Sequence, residues 1–237
     1  MKKNLIIYAL AICCSLGTVS LYAAAGNPPV ELTADTIEYD SAQGVAVAQG
    51  GVRIVRDQAV MTGYAVRYNT NTGEAVLSGG VKVVQDQATL TADEVQSLDG
   101  NHMTATGEVV LIKADQRLTG TRLDYYADKS YAVLSGGARL TTSDAVMTAP
   151  QLESWISENR AVGTGGVHVV SETQQVDATA DQATYTGGRE EQGRIVLSGN
   201  ARAVQQGNTL TGNTLTILLG EKALNAQGRT KLVITPQ

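Results

Sequence analysis

The stretch Thr33-Ala34-Asp35-Thr36-Ile37-Glu38-Tyr39, followed by Gly50-Gly51-Val52, decides the fold, because both of its parts return along the chain. Thr followed by Ala or Gly recurs at Thr33, Thr62, Thr91, Thr119, Thr148, Thr179 and Thr211. The glycine marker recurs at Gly50, Gly79, Gly107, Gly136, Gly165, Gly199 and Gly228, with spacings of 29, 28, 29, 29, 34 and 29 residues. The chain is therefore predicted to contain seven repeat units of about 29 residues. The longer sixth unit is explained by an insertion at a loop around residues 187–191.

Each repeat unit has the pattern of β-strands. Apolar and polar residues alternate after the glycines, as in Val52-Arg53-Ile54 and Val81-Lys82-Val83, which predicts strands with one buried face. Turn-forming residues lie between the strands, for example at positions 69–73 and 99–101. Each unit is therefore predicted to be two strands and two turns, which gives an all-β protein of about seven two-strand repeats.

The Thr-Ala or Thr-Gly step is predicted to be a corner. In the third unit, Leu90 before the Thr and Ala92 after it are two residues apart, so they lie on the same face of a regular strand. The apolar Val95 is an odd number of residues from both, so its parity is opposite and a regular strand would place it on the other face. A strand can keep all three on one face only with a bulge or a bend. Seven such bends fold a sheet lengthwise into a trough, and a β-helix with one coil per unit is the alternative.

Residues 1–25 are predicted to be an export signal. Lys2 and Lys3 form a basic start, residues 5–21 are mostly apolar, and Ala23-Ala24-Ala25 offers a cleavage site, so cleavage after Ala25 is expected. Residues 26–237 would then form a single β-repeat domain. The alternative is an uncleaved membrane anchor, because the apolar stretch from 5 to 25 approaches the roughly 20 residues that span a bilayer.

Charge and cysteine content exclude several kinds of site. Both cysteines, Cys13 and Cys14, lie in the signal, so the exported part has no disulfide, thiolate ligand or cysteine nucleophile. Removing Lys2 and Lys3 from 18 basic residues leaves 16 against 23 acidic ones, a net charge of −7. Without a basic run, the chain is not expected to bind nucleic acid.

The residues that could carry catalysis favour structural roles. His102 lies beside a predicted turn, and His168 occupies a position that is basic in five other units, so it is read as an outward polar residue rather than a general base. The acids Asp35, Asp93 and Asp181 follow the corner step and are predicted to accept backbone N–H groups freed there. No catalytic residue, metal site or cofactor is expected.

The basic positions form a column across the repeats. They are Arg53, Lys82, Arg139, Arg202 and Lys231. At roughly 10 Å apart, these charges would be well screened, which favours a solvated outer face. Binding to the phosphates of an acidic lipid head group is the alternative.

The predicted interior is aliphatic, without Phe and with Met61 and Met147 as adaptable fillers. Two arrangements agree with the periodicity. The sheet faces close on each other as a dry core, or they leave a slot for aliphatic chains.

Residues 33–39 with Gly50-Gly51-Val52, and the parallel runs from Thr62, Thr91 and Thr179, resemble the OstA-like repeat of the lipopolysaccharide-transport family. This family includes LptA, LptC and the N-terminal domain of LptD. The resemblance covers residues 30–235. It implies an antiparallel β-jellyroll or β-taco in the periplasm, with a hydrophobic groove for the acyl chains of lipid A. It also implies edge-to-edge strand pairing with LptC-like and LptD-like β domains, and head-to-tail self-association.

The resemblance also suggests which residues line the groove. They occupy the inward positions of the repeat: Ile37, Met61, Val66, Leu90, Val95, Leu118, Leu123, Met147, Leu152 and Leu215. The expected function is lipopolysaccharide binding and transport between the two membranes. A structural envelope scaffold with a dry core, an LptC-like anchored component and an enzyme on a β-solenoid are the alternatives.

Overall fold

A computed structural model describes residues 31–56, 58–85, 88–98, 101–113, 115–187, 193–219 and 223–235. The predicted signal, part of the turn at 99–101 and most of the insertion at 187–191 lie outside these residues. The described chain contains sixteen strands and one short 3₁₀ helix, Ile156–Glu158. The strands are β1 Glu31–Thr33, β2 Thr36–Asp40, β3 Val45–Arg56, β4 Ala59–Asn69, β5 Ala75–Gln85, β6 Ala88–Ser97, β7 His102–Lys113, β8 Gln116–Tyr126, β9 Tyr131–Thr141, β10 Val146–Trp155, β11 Arg160–Ser171, β12 Val176–Thr186, β13 Arg194–Gln205, β14 Asn208–Leu218, β15 Leu224–Gln227 and β16 Lys231–Val233.

The strands form one antiparallel sheet in which each full-length strand pairs with the next along the chain. β1 and β2 both pair with β3, and β15 and β16 both pair with β14. Each of these pairs is one strand interrupted at its corner, so the sixteen segments correspond to the predicted fourteen strands. The all-β, antiparallel prediction is confirmed, and the β-helix alternative is wrong because consecutive strands pair directly.

The predicted corner is present in every pairing whose register is described across it. Between β5 and β6 the register shifts from Ser78 to Val81, and between β6 and β7 it shifts from Thr91 to Glu94. Leu90, Ala92 and Val95 are all buried, as the change of parity requires. The shift lets each strand keep one apolar face inward on both sides of the bend.

A close contact at the corner explains why the repeat carries glycine. A Cβ atom on Gly79 would lie 2.5 Å from the Cβ of Tyr64, and the backbone there has a φ of +82°. Gly80, with a φ of +70°, has open space around its Cβ position. The same contact recurs between Asp35 and Gly50, Asp93 and Gly107, Pro150 and Gly165, Asp181 and Gly199, and Asn213 and Gly228.

The predicted role of the corner carboxylates is wrong. Among the described residues, Asp35 and Asp93 accept no backbone hydrogen bond, and the bond found for Asp181 comes from the Asn200 side chain at 2.9 Å. The backbone N–H of Asp35 instead donates to the carbonyl oxygen of Gly50 at 2.8 Å. The pairing across the corner thus satisfies this backbone group, and the side chain covers the opposite glycine.

The chain divides into two compact units. Unit 1 comprises residues up to 114 and residues 121–131, and unit 2 comprises residues 115–120 and 132–237. Within each unit the corner separates two wings of the sheet. Wing A carries Val66 in unit 1 and Leu215 in unit 2, and wing B carries Met61 in unit 1 and Met147 in unit 2.

Both wings bury their inward faces, although the sheet is the only extended layer in the described part of the chain. We conclude that in each unit the two wings cover each other, because a sheet face in water stays buried only when another layer packs on it.

Candidate functional site

The interior of unit 1 is lined by aliphatic rows that run from strand to strand. Residues directly opposite each other in an antiparallel pair share a face, so the register defines each row. The row on wing A is Ile37, Ala48, Val66, Leu77, Val95 and Ala105. The row on wing B is Leu32, Ile54, Met61, Val83, Leu90 and Leu111.

Unit 2 has the same two rows. The row on wing A is Leu152, Gly163, Ala183, Leu197, Leu215 and Ala226. The row on wing B is Met147, Val169, Ala178, Ala203, Leu210 and Leu232. In both units the inward positions therefore offer a continuous aliphatic surface without a charged side chain.

Most of the sequence-predicted groove residues lie inside these units. Eight of the ten are only 0–5% exposed: Met61, Val66, Leu90, Val95, Leu123, Met147, Leu152 and Leu215. Leu118 is half-buried. Ile37 is 49% exposed although it continues the row of Ala48, because β2 belongs to the first strand and pairs only with β3.

The interior is thus closed to solvent at these eight positions. An acyl chain can reach them only when the wings move apart or their side chains rearrange. The backbone hydrogen bonds of the sheet run between neighbouring strands of the same wing, so separating the wings leaves those ladders intact.

A hydrogen bond joins the wings of unit 2 at the mouth, the side of the interior opposite the corner. The side-chain Nε2 of Gln174, in the turn between β11 and β12, donates to the carbonyl oxygen of Leu218 at 2.7 Å. Gln174 belongs to wing B and Leu218 belongs to wing A, so this bond holds the mouth shut.

Tyr185 lies in an environment that disfavours its ionised form. Burial raises the pKa of Tyr185, and the negative charges of Asp115 and Asp144 raise it further, while the hydrogen bond from Gln116 opposes the shift. The hydroxyl therefore stays neutral at physiological pH and remains a hydrogen-bonding group at the mouth.

The outer face of wing B carries the basic column. Arg53, Lys82, Arg139, Arg202 and Lys231 are all exposed. Threonines alternate with them across the strands, and Thr33 Oγ1 donates to the carbonyl oxygen of Arg53 at 3.4 Å. His168 occupies the same column, is exposed, and lies 3.0 Å from Asp177, in agreement with its reading as an outward polar residue. The column faces away from the aliphatic rows.

A cluster in unit 1 was missed by sequence reasoning. His102 Nε2 lies 3.1 Å from Asp124, Arg122 donates to the same carboxylate at 2.6 Å, and the His102 ring stacks on Tyr126 at 4.5 Å. Burial raises the pKa of Asp124, but the hydrogen bonds and charges of Arg122 and His102 outweigh it and hold that pKa below its usual range. The ionised carboxylate of Asp124, on β8, thus contacts both Arg122 and His102. Because His102 lies on β7, the cluster favours a structural role in joining β7 to β8.

Neither a metal-binding group nor a membrane-spanning helix is found in the part of the chain that the structure describes. No three His, Cys, Asp or Glu side chains there lie close enough together to hold a metal ion. None of the helices there is long and apolar enough to cross a bilayer.

Comparison with known proteins identifies the family. The sequence model of the family described as "LptA/(LptD N-terminal domain) LPS transport protein" matches residues 61–160 and 157–222, which is more than half of the chain. The chain belongs to this family. A second family model, described as OstA-like protein, matches residues 24–93 of this LPS-transport family member.

Among solved structures, one match is to LptH, described as the LptA homologous periplasmic component of the conserved lipopolysaccharide transport device from Pseudomonas aeruginosa. The two sequences are 16% identical, and the match covers 88% of this chain and 96% of LptH. The TM-score is 0.17, which is too low for the superposition to support a structural argument. A search of curated proteins found no significant match.

Proposed function

We propose that this member of the LPS-transport family is a periplasmic protein, exported by cleavage after Ala25, that binds lipopolysaccharide with its acyl chains between the two wings. The observation that supports this most directly is the pair of uncharged aliphatic rows that continue from strand to strand in each unit. An LptC-like role with a retained anchor is the alternative if the signal is not cut.

Aliphatic contacts suit a protein that must hold a lipid and also release it. Each buried CH₂ group contributes about 0.8 kcal/mol. Because these contacts have no preferred direction, a chain that slides along a row exchanges one set for an equivalent one. No step of this function needs a catalytic residue, and the direction of transport has to come from the partners at the two ends.

Opening the interior leaves the backbone hydrogen bonds within each wing intact. It breaks wing-to-wing apolar contacts and, in unit 2, the hydrogen bond from Gln174 to Leu218, which contributes about 0.5–1.5 kcal/mol. The acyl chains that enter replace the lost apolar contacts. The closed interior is therefore proposed to be the lipid-free state.

The proposal predicts that lipopolysaccharide competes with an apolar fluorescent probe for the purified protein. Intact lipopolysaccharide should displace the probe, and fully deacylated lipopolysaccharide at the same concentration should not, because it lacks the chains that enter the interior. Probe fluorescence measured during titration checks this. Failure of intact lipopolysaccharide to displace the probe would contradict the proposal and favour the scaffold with a dry core.

The two ends of the sheet are proposed to pair with other β domains. Ile37 at one end and Leu232 at the other lie on the inward rows but are 49% and 58% exposed. Since the fourteen full strands alternate in direction, the last strand of one copy would run antiparallel to the first strand of the next. Such pairing would bury both residues and continue the rows, either with a second copy or with LptC-like and LptD-like domains.

Charges at these ends are therefore expected to weaken self-association. Ile37→Asp or Leu232→Asp should shift the protein towards monomer at concentrations where the unaltered protein forms larger species, because pairing would bury the new carboxylate. Light scattering over a range of concentrations measures the effect. Lys82→Asp, on the outer face, is the control and should leave the distribution unchanged; an unaltered protein that is monomeric at every concentration would count against the pairing.

A further inference from the structure

Gln174 combines three features that set it apart from the other side chains at the mouth of unit 2. It is only 3% exposed, and its burial alternates in step with Val176 and Ala178, so it extends the inward face of wing B. Its side chain crosses to wing A, where Nε2 donates to the carbonyl oxygen of Leu218. Its Oε1 is buried and accepts no hydrogen bond from the described residues.

The orientation of the Gln174 carboxamide follows from its partner. A carbonyl oxygen can only accept, so the group that meets Leu218 at 2.7 Å is the NH₂ group, and the remaining atom is the acceptor Oε1. The oxygen and nitrogen therefore cannot be interchanged without losing this bond.

The backbone of Gln174 is also held in place. Its carbonyl oxygen accepts a hydrogen bond from Gln205 Nε2 at 3.0 Å, and its N–H lies 3.4 Å from Ser171 Oγ. Ser171 Oγ in turn donates to the carbonyl oxygen of Asp144 at 2.7 Å. These bonds lie within wing B, so they hold the backbone of Gln174 in place even when its side-chain bond to Leu218 is broken.

We propose that Gln174 Oε1 accepts a hydrogen bond from a hydroxyl or amide N–H group near the polar end of a bound acyl chain. This inference rests on the proposed function, since it assumes that alkyl chains enter between the wings. Buried acceptors in proteins are nearly always paired, so an acceptor held at the entrance of an aliphatic interior is suited to a donor that arrives with the guest. Because Val176 and Ala178 adjoin it on the same face, the donor must be carried on an otherwise apolar chain, and a charged group is excluded by its cost of burial.

The inference can be tested with three probes of equal chain length: tetradecanoic acid, 3-hydroxytetradecanoic acid and 3-methoxytetradecanoic acid. The hydroxy acid should bind the exported protein about 2- to 10-fold more tightly than the unsubstituted acid, as one hydrogen bond allows. The methoxy acid keeps the oxygen but has no donor, and it should lose this preference. Equilibrium dissociation constants from calorimetry provide the ratios.

A pair of variants locates the effect. Gln174→Met keeps the length of the side chain and removes the acceptor, so the hydroxy and unsubstituted acids should bind it equally. Gln175→Met alters the exposed neighbour and should keep the preference. Equal binding of the hydroxy and unsubstituted acids to the unaltered protein would overturn this inference and leave the lipid-binding interior intact, whereas failure of every probe to bind would overturn both. The comparison of hydroxy and methoxy acids needs no variant, so it decides the question even if Gln174→Met does not fold.

Discussion

Alanine at Gly79 is expected to lower the free energy of unfolding by about 2–5 kcal/mol, whereas alanine at Gly80 should lower it by about 1–2 kcal/mol. Both glycines have a positive φ, +82° and +70°, so both substitutions carry the cost of a left-handed backbone, about 1–2 kcal/mol. Only at Gly79 does the new Cβ also meet another atom, the Cβ of Tyr64. Because that atom is fixed to the backbone of β4, it cannot swing away, and overpacking adds about 1–3 kcal/mol.

The adjacent glycine makes this comparison well controlled. Gly79 and Gly80 lie in the same strand and share the same corner, and their difference isolates the contact with Tyr64. Denaturant unfolding of the two variants, measured alongside the unaltered protein, gives the two free energies. Equal destabilisation would mean that the contact between corner residue and glycine does not constrain the repeat.

Replacing Leu215 with Ala is expected to lower the free energy of unfolding by about 2–5 kcal/mol, because the side chain is fully buried and its removal leaves a cavity in the wing A row. Leu232 also lies on an inward row but is 58% exposed at the end of the sheet. Leu232→Ala should therefore cost less than about 1 kcal/mol. Thermal or denaturant unfolding of both variants measures the difference, and similar values for the two would contradict the closed interior described for unit 2.

The sequence predicted the strands and the corner because both follow from local periodicity. Leu90, Ala92 and Val95 already show the change of parity that a bend requires, and the register shift between Thr91 and Glu94 confirms it. Most groove residues could be predicted for the same reason, since a position that repeats on the inward parity in seven units faces inward in each of them.

Periodicity could not show where the sheet ends. Ile37 has the same place in its unit as Val66 has in the next, yet Ile37 is 49% exposed and Val66 is 5% exposed. The difference comes from the number of neighbouring strands, which no single repeat unit encodes.

The corner contact was missed although a signal for it exists. Asp35 precedes Gly50 by the same distance as Tyr64 precedes Gly79, which is the spacing expected of partners across one hairpin. Tyr64 and Pro150 hold the same place in other units and have no carboxylate, so the feature that the units share is the contact with the glycine rather than the binding of freed N–H groups.

The bond that closes the mouth had no signal in the sequence. Gln174 lies in the polar turn Glu172-Thr173-Gln174-Gln175, which reads as exposed. Its partner Leu218 is 44 residues further along the chain and contributes only a backbone oxygen. A contact of this kind depends on how close the two wings come, which composition and spacing do not determine.

The most direct test of a lipid-binding interior is photo-crosslinking from the two faces of neighbouring strands. A photoreactive residue at Val95, on the inward row of β6, should give covalent adducts with lipopolysaccharide in cells, whereas one at Lys82, on the outer face of β5, should give few or none. Immunoblots for the protein and for lipopolysaccharide measure the adducts. Strong labelling from position 95 alone is the result that the account predicts, and equal labelling from positions 95 and 82 would contradict it.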